Sequence, residues 1–270
     1  MEMLKNLTQG FGPSGREDEI RKIIKGYVKD YADEISEDVM GNLIVRKRGT
    51  GKKIMLAAHL DEIGVVITFI DDNGFLRFSS VGGLNSKELL YSKVKFKNGV
   101  IGTIGTEKDN KDKLIPKMYI DIGAKDKEDA EKYVSLGDYV SFDTKYQEIG
   151  EDAIKAKAFD DRIGCYVLTN LIKEPVKYDT YFCFTTQEEV GLRGARVAAY
   201  RIKPDIALVL ETTTCSDVHD VPDHRMVTEM GKGVAVSFMD SSTIFNEKLV
   251  KFLSAQDALF QLKKMTTGGN

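Results

Sequence analysis

The sequence predicts an α/β fold that is interrupted by a small β-domain. Apolar runs typical of buried strands alternate with helical patterns in residues 1–65 and 151–270. Short strand-like segments with turn signals between them fill residues 66–150, which is typical of a small barrel or sandwich. Acidic or imidazole side chains follow several of the predicted strands, where an α/β sheet usually forms its site.

Composition and charge restrict the class of protein. With 270 residues, 42% hydrophobic and 30% charged, the chain can bury one large core or two smaller ones. The net charge of −3 and the lack of a basic stripe argue against nucleic acid as a partner. Three cysteines without CxxC spacing indicate reduced thiols, and we expect a cytoplasmic protein. We expect no signal peptide and no membrane span, because no apolar run is long enough.

Residues 1–65 predict a helix followed by two strands. Ser14 and Glu17 have capping-box spacing, and apolar positions after them recur along one helical face. The helix is therefore predicted over residues 16–31, and the strands over residues 42–47 and 53–58.

Residues 66–150 predict an inserted small β-domain. Asn98-Gly99 between two strand-like segments is a strong hairpin signal. A short helix over residues 127–136 ends at Gly137. The strands are predicted over residues 65–70, 75–78, 93–97, 100–104, 118–122 and 139–142.

The α/β pattern resumes after residue 150. Strands are predicted over residues 153–158, 181–186, 206–210 and 259–265. Helices are predicted over residues 163–173, 191–200 and 246–253, the first ending before Pro175. A polar loop over residues 212–225 carries His219 and His224, which we expect to be exposed to solvent.

Four predicted strands of the α/β part lead into potential metal ligands, namely His59, Asp160, Glu189 and Glu211. One imidazole with several carboxylates suits zinc, cobalt or manganese. Asp61 lies two residues beyond His59 and could contact the imidazole as a carboxylate behind the ligand. The sequence therefore predicts a metal site at the carboxyl edge of the sheet.

Several of these residues also have an ordinary structural interpretation. Glu188 and Glu189 could belong to a solvated helix start, where acids suit the helix dipole. His59 could be a hydrogen-bonded core histidine, and the acids at residues 160–161 could cap a helix. The match at four strand ends favours the ligand interpretation for His59.

Seven short motifs together resemble the tetrahedral (TET) aminopeptidases, a family of di-metal glutamyl, leucyl and deblocking aminopeptidases. They are PSG at 13–15, AHLDEIG at 58–64, KNGVIG at 97–102, DIGA at 121–124, AFDDRIG at 158–164, TTQEEVGLRGA at 185–195 and LVLETT at 208–213. The resemblance implies a mixed-sheet, zinc-exopeptidase-like catalytic domain of residues 1–65 and 151–270. It also implies that residues 66–150 form a β-barrel domain used in assembly.

The resemblance further implies two divalent metal ions per subunit, zinc or cobalt. His59, Asp160 and Glu211 would hold one ion. Asp160 and Glu189 would hold the other, with Asp160 bridging the two.

Glu188 would be the general base and Asp61 the carboxylate behind His59, as the resemblance implies. The two metals would activate a water and stabilise the oxyanion, and one N-terminal residue would leave a short peptide at a time. The implied partners are short peptides and further copies of the chain, in a dodecamer whose dimers form through the β insert.

The family continues past the glycines at 268–269 to a late histidine that completes the second metal site, whereas no histidine follows His224 here. We therefore expect a shortened chain that keeps one tight metal and has little activity. In the alternative, His219 or His224 replaces the missing ligand.

Three hypotheses remain open from the sequence. The first is a metallo-aminopeptidase, and the second is an inactive, single-metal or metal-free relative that acts through oligomeric assembly. The third is an endoglucanase-like glycoside hydrolase that uses Glu188 or Glu189 with another acid. His59 at a strand end before Asp61 argues against the third hypothesis.

Overall fold

The computed structural model describes residues 1–264, and the chain divides into two compact units, Met1–Glu211 and Thr212–Asn270. Within the described residues the α-helices are α1 (Glu2–Gln9), α2 (Asp18–Val28), α3 (Lys127–Glu131), α4 (Phe159–Leu171), α5 (Arg193–Ile202) and α6 (Glu247–Ser254). The strands are β1 (Glu34–Glu37), β2 (Leu43–Lys47), β3 (Lys53–His59), β4 (Gly64–Ile70), β5 (Leu76–Val81), β6 (Lys93–Phe96), β7 (Ile101–Thr106), β8 (Met118–Asp121), β9 (Tyr139–Phe142), β10 (Gln147–Ile149), β11 (Ala153–Lys155), β12 (Asp179–Thr185), β13 (Ile206–Val209), β14 (Val234–Val236) and β15 (Phe260–Leu262).

A mixed five-stranded sheet in the order β1-β2-β12-β3-β13 forms the main layer of the first unit. Strands β3, β12 and β13 run parallel, and β2 pairs antiparallel with β12. The carboxyl ends of three parallel strands therefore meet at one edge, where α/β folds usually bind ligands.

Successive side chains of a strand point to opposite faces of a sheet. Both faces of this sheet are apolar, and helices pack against each of them. Phe182 and Phe184 of β12 pack into a core that includes Leu7 of α1, Ile24 of α2 and Leu168 of α4. On the other face, a smaller core joins side chains of β2, β3 and β12 to α5: Ile44, Met55, Cys183, Ala198 and Ile202. The α/β architecture predicted from alternating patterns is confirmed.

Strands β4 to β9 form a closed six-stranded barrel in the order β4-β5-β8-β7-β6-β9. Its interior is filled by apolar side chains such as Leu76, Phe96 and Ile104. The predicted hairpin at Asn98-Gly99 joins β6 to β7, and Gly99 has a φ of +94°, which glycine adopts without steric cost. The predicted small β-domain is therefore a barrel.

The second unit is small and is described over residues 212–264. Strands β14 and β15 pair in parallel, and α6 is capped by Asn246, whose side chain accepts from the amides of Lys248 and Leu249. The strand predicted over residues 259–265 is β15, and Met265 lies outside the described residues. None of the helices in residues 1–264 is both long and apolar enough to cross a membrane.

Several predicted elements differ from the structure. The capping box is wrong: α2 begins after Glu17, and neither Ser14 nor Glu17 caps it with its side chain, because both side chains bond elsewhere. The strand predicted over residues 153–158 is only β11, which pairs with β10 and does not join the main sheet. Helix α1 and strand β1 were not predicted.

Candidate active site

His59 is the last residue of β3 and lies buried at the carboxyl edge of the main sheet. Its Nδ1 atom lies 3.0 Å from the main-chain oxygen of Asp61 and 3.6 Å from the carboxylate of Asp61. The closer contact is thus to the carbonyl rather than to the predicted carboxylate. With Nδ1–H donating to that carbonyl, Nε2 faces the acids of the site.

Asp160 and Asp161 are adjacent but have different environments. The Oδ1 atom of Asp160 lies 2.9 Å from Nε2 of His59, and its side chain is 59% exposed. The Asp161 side chain is fully buried and accepts from the main-chain amides of His59 and Gly164. The cap interpretation therefore fits Asp161, whereas Asp160 faces the imidazole. Asp160 lies in the first turn of α4, not at the end of a sheet strand as predicted.

Glu188 and Glu189 lie in the loop after β12. The two oxygens of Asp61 accept from the main-chain amides of these residues, at 3.0 Å and 3.1 Å, and Oδ2 also accepts from the Ser14 hydroxyl at 2.6 Å. One oxygen of Glu188 lies 3.8 Å from Nε2 of His59. Asp61 therefore links the His59 strand end to the loop of the two glutamates.

Glu211 follows β13 and completes the cluster, with one oxygen 3.6 Å from Nε2 of His59. Within residues 1–264, two groups of three side chains have ligand atoms that lie within 4.8 Å of one another. They are His59 with Asp160 and Glu211, and His59 with Glu188 and Glu189. The structure thus brings together all the acids that the sequence singled out, although Glu189 groups with His59 and Glu188 rather than with Asp160.

Burial controls the protonation of this cluster. Burial raises the pKa of Glu189 to about 8 and, with the neighbouring Asp161 carboxylate, raises the pKa of Glu211 to about 10. Burial also raises the pKa of Glu188. For His59, burial opposes the charged form, but hydrogen bonding to Asp160 and Asp61 outweighs it and holds the pKa well above its usual value. Ionisation of these buried carboxyl groups is thus unfavourable without a partner, and a nearby positive charge would favour it.

A second buried charge cluster lies behind the site. Lys157 Nζ donates to both oxygens of Glu62, at 2.6 Å and 2.7 Å, and to the main-chain oxygen of Gly10. Arg162 lies 3.5 Å from Glu62 and donates to the main-chain oxygen of Leu60. These contacts join the segment after His59 to the segment around Asp160, and the sequence analysis did not identify them.

The remaining candidate residues have ordinary environments. His219 and His224 are exposed, as predicted, and His219 lies 3.4 Å from Asp220. Cys165 and Cys183 are buried free thiols, and Cys215 is free as well.

The comparisons with known proteins agree with this geometry. The family model for the M42 glutamyl aminopeptidases matches residues 41–267. A putative aminopeptidase of Acetivibrio thermocellus is 45% identical over 280 residues, which cover 100% of this chain and 83% of the relative.

The chain belongs to the M42 glutamyl aminopeptidase family.

Solved structures show the same fold for this M42 chain. Aminopeptidase APDkam598 of Desulfurococcus kamchatkensis superposes with a TM-score of 0.95 at 36% identity, covering 100% of this chain and 80% of that one. The TET1 peptidase of Pyrococcus horikoshii, which can assemble into a tetrahedron or a large octahedral shell, has a TM-score of 0.86 at 32% identity. It covers 100% of this chain and 84% of that one. The M42 chain is thus a metallo-aminopeptidase with the mixed α/β fold of the TET enzymes.

The residues of the site fit the divalent metal that the family implies. Imidazole and carboxylate donors are those that zinc and related cations bind in catalytic sites. His59, Asp160 and Glu211 bring such donors within 4.8 Å of one another, and burial raises the pKa values of Glu189 and Glu211, so a bound cation would favour their ionised forms. The donor set and its charge therefore suit a divalent cation.

Proposed function

We propose that this M42 aminopeptidase releases N-terminal residues from short peptides through a centre of up to two divalent cations at the edge of the sheet. The single observation that carries the proposal is the convergence of three carboxylates, from Asp160, Glu188 and Glu211, within 2.9–3.8 Å of Nε2 of His59. Those carboxylates come from three different segments, so their convergence depends on the fold.

The first cation would be held by His59, Asp160 and Glu211, and the second by Asp160 and Glu189. Bound divalent cations polarise a carbonyl and lower the pKa of water toward neutrality. His59 would offer Nε2 as a ligand because Nδ1 lies 3.0 Å from the Asp61 carbonyl.

Glu188 would act as the general base. Its carboxylate points toward the centre, and its pKa is raised by burial, which suits a group that must accept a proton near neutral pH. It would take a proton from the attacking water and return it to the leaving amine. Asp61 would support this role, since it holds the amides of both glutamates.

The two proposed cations differ in the number of protein ligands. The first has one imidazole and two carboxylates, whereas the second has two carboxylates, one of them shared. Catalytic zinc sites usually have three protein ligands, so we expect His59, Asp160 and Glu211 to bind an ion more tightly than Asp160 and Glu189 do by themselves. Weak binding of the second ion would lower activity at limiting metal.

Assembly and location are part of the proposal. We expect the barrel of residues 66–150 to join copies of this chain into dimers within a larger homo-oligomer, up to a dodecamer. The three free thiols are consistent with a reducing, cytoplasmic environment.

A metal add-back assay tests the proposal. The chain is stripped with a chelator and assayed on a panel of aminoacyl-nitroanilides with zinc, cobalt or manganese, while mass spectrometry counts the bound ions. We expect turnover that is lost on stripping and restored by one of these metals. Turnover of a glucan that survives stripping would favour the glycoside hydrolase hypothesis. Stoichiometric metal without peptide turnover would favour an inactive assembly protein.

A further inference from the structure

The loop that carries Glu188 and Glu189 is held through its amides by side chains. Four consecutive main-chain amides each donate to a side-chain oxygen from a distant segment: Thr186 to Asn42 at 2.9 Å, Gln187 to Glu17 at 3.2 Å, and Glu188 and Glu189 to Asp61 at 3.0 Å and 3.1 Å. A buried amide must find an acceptor, so three side chains replace the main-chain partners that a strand or helix would provide.

The carbonyls of the same loop support the helix that follows. The oxygens of Thr186 and Gln187 accept from the amides of Gly194 and Arg193, and the oxygen of Glu188 accepts from Gly191 and Leu192. Any shift of the loop would therefore move the start of α5.

Gln187 lies at the centre of this loop and has a φ of +55°. The left-handed region is unfavourable for a residue with a side chain and persists where surrounding contacts enforce it. The main-chain amide of Gln187 donates a hydrogen bond to the side chain of Glu17. The group that holds this strained residue therefore lies about 170 residues away in the sequence.

Glu17 is well placed to enforce this conformation. Its side chain is buried, with 4% of the residue exposed, and the same Oε1 atom accepts from the amides of Gly15 and Gln187. The segment before it is fixed to the site as well, because the Ser14 hydroxyl donates to Asp61 and the Ser14 amide donates to the carbonyl of Glu62. Glu17 thus connects an anchored N-terminal segment to the loop of the glutamates.

We propose that Glu17 is a positioning residue of the reaction: its Oε1 holds the Gln187 amide and thereby sets where the Glu188 carboxylate lies. This inference rests on the proposed function, in which Glu188 acts on water. Oε1 alone accepts from the amides of Gly15 and Gln187. A glutamine, which is neutral and has one carbonyl oxygen, should therefore be sufficient at position 17.

The test compares three variants of the full chain. Glu17→Leu keeps a side chain of similar size but removes the hydrogen-bond acceptor, whereas Glu17→Gln retains a carbonyl oxygen that can accept. Glu19→Ala is the control, because Glu19 is an exposed acid two residues away. With cobalt-loaded protein, we expect Glu17→Leu to lower kcat by about 100-fold, the effect of displacing a catalytic group by about 1 Å. We expect KM to change less than about twofold, since substrate binding is not the step affected. Glu17→Gln should restore kcat to near the unmodified value.

Amide hydrogen exchange supplies a readout that needs no activity. In metal-free protein, Glu17→Leu should speed exchange at the Gln187 amide by about tenfold, the effect of losing one hydrogen bond, while Glu17→Gln leaves it unchanged. If the unmodified chain shows no turnover, the proposed function fails but the exchange result still decides the role of Glu17. Unchanged exchange at Gln187 in Glu17→Leu would overturn the inference. Loss of protection throughout the sheet, or equal loss of kcat in Glu17→Leu and Glu17→Gln, would also overturn it.

Discussion

At the scale of single residues, neighbouring side chains of the same type have different tasks because the main chain places them in different surroundings. Asp160 faces His59 at 2.9 Å, whereas the next residue, Asp161, is buried and bonds main-chain amides. Burial raises the pKa of Asp161 to about 8, so a proton or a nearby cation stabilises this position. Residue type alone does not assign such roles.

Loss of one proposed ligand should weaken the first metal site strongly. We expect Glu211→Gln to lower the cobalt affinity of that site by more than about 100-fold. Losing a residue that only orients a metal ligand costs about 10–100-fold in affinity, and losing the ligand itself should cost more. Glu148→Gln is the matched control, because Glu148 lies in the exposed strand β10. Titration of the metal-free protein with cobalt measures the affinity of each variant and of the unmodified chain. Equal affinities in Glu211→Gln and the unmodified chain would remove Glu211 from the ligand set.

The sequence predicted which acids meet at the site better than it predicted what holds them. His59 and Glu211 could be found because His59 ends one apolar strand and Glu211 comes shortly after another, and parallel strands bring their ends together. Ser14 and Glu17 were interpreted as a helix cap, which is their commonest use at that spacing. Their actual partners, Asp61 and Gln187, are distant in the sequence, so no local pattern could reveal them.

At the scale of elements, the site depends on how the strand end of His59 is joined to the start of α4. Glu62, Lys157 and Arg162 make this connection as buried charges, with side-chain exposures of 3%, 9% and 0%. Buried charges are costly when a partner is removed, because the remaining charge loses its compensation.

Glu62→Gln should therefore destabilise the fold. We expect the free energy of unfolding to fall by about 3–5 kcal/mol, the usual cost of breaking a buried ion pair. Urea denaturation at constant m measures this change. Glu131→Gln, which removes one partner of an exposed i,i+4 pair on α3, should leave the midpoint almost unchanged. Similar midpoints for the two variants would show that the buried cluster contributes little.

Elements with a clear local pattern were predicted, and those set by long-range pairing were not. The hairpin of β6 and β7 has its Asn-Gly turn, and β12 has a continuous apolar run. Strand β11 has an ordinary strand pattern, yet it pairs only with β10, because pairing partners are chosen by tertiary contacts. Strand β1 is short and polar, and it gains its identity from pairing with β2.

At the scale of the whole molecule, the barrel lies in the sequence between the segments of His59 and Asp160 and also approaches the site. Gly82, which follows β5, has a φ of +86°, and a Cβ there would lie 3.1 Å from the Cβ of Glu189. The first unit therefore brings the barrel and the main sheet together beside the glutamate loop.

The barrel should also control the oligomeric state. Replacing residues 66–150 by a short linker is expected to reduce the particle mass measured by light scattering. The reason is that an assembly formed through the barrel would lose its contact surface. Circular dichroism confirms that the remaining α/β part is folded. The same oligomer mass with and without the barrel would place the assembly contacts elsewhere.

The central claim is that Glu188 moves the proton while other residues hold the metal, and one variant tests it most directly. Glu188→Gln is assayed for aminoacyl-nitroanilide turnover and for bound metal, with Glu148→Gln in the exposed strand β10 as the control. We expect turnover to fall by about 100-fold or more, the contribution of a general base, with the metal content unchanged. Normal turnover in Glu188→Gln, or loss of its bound metal, would contradict the assignment.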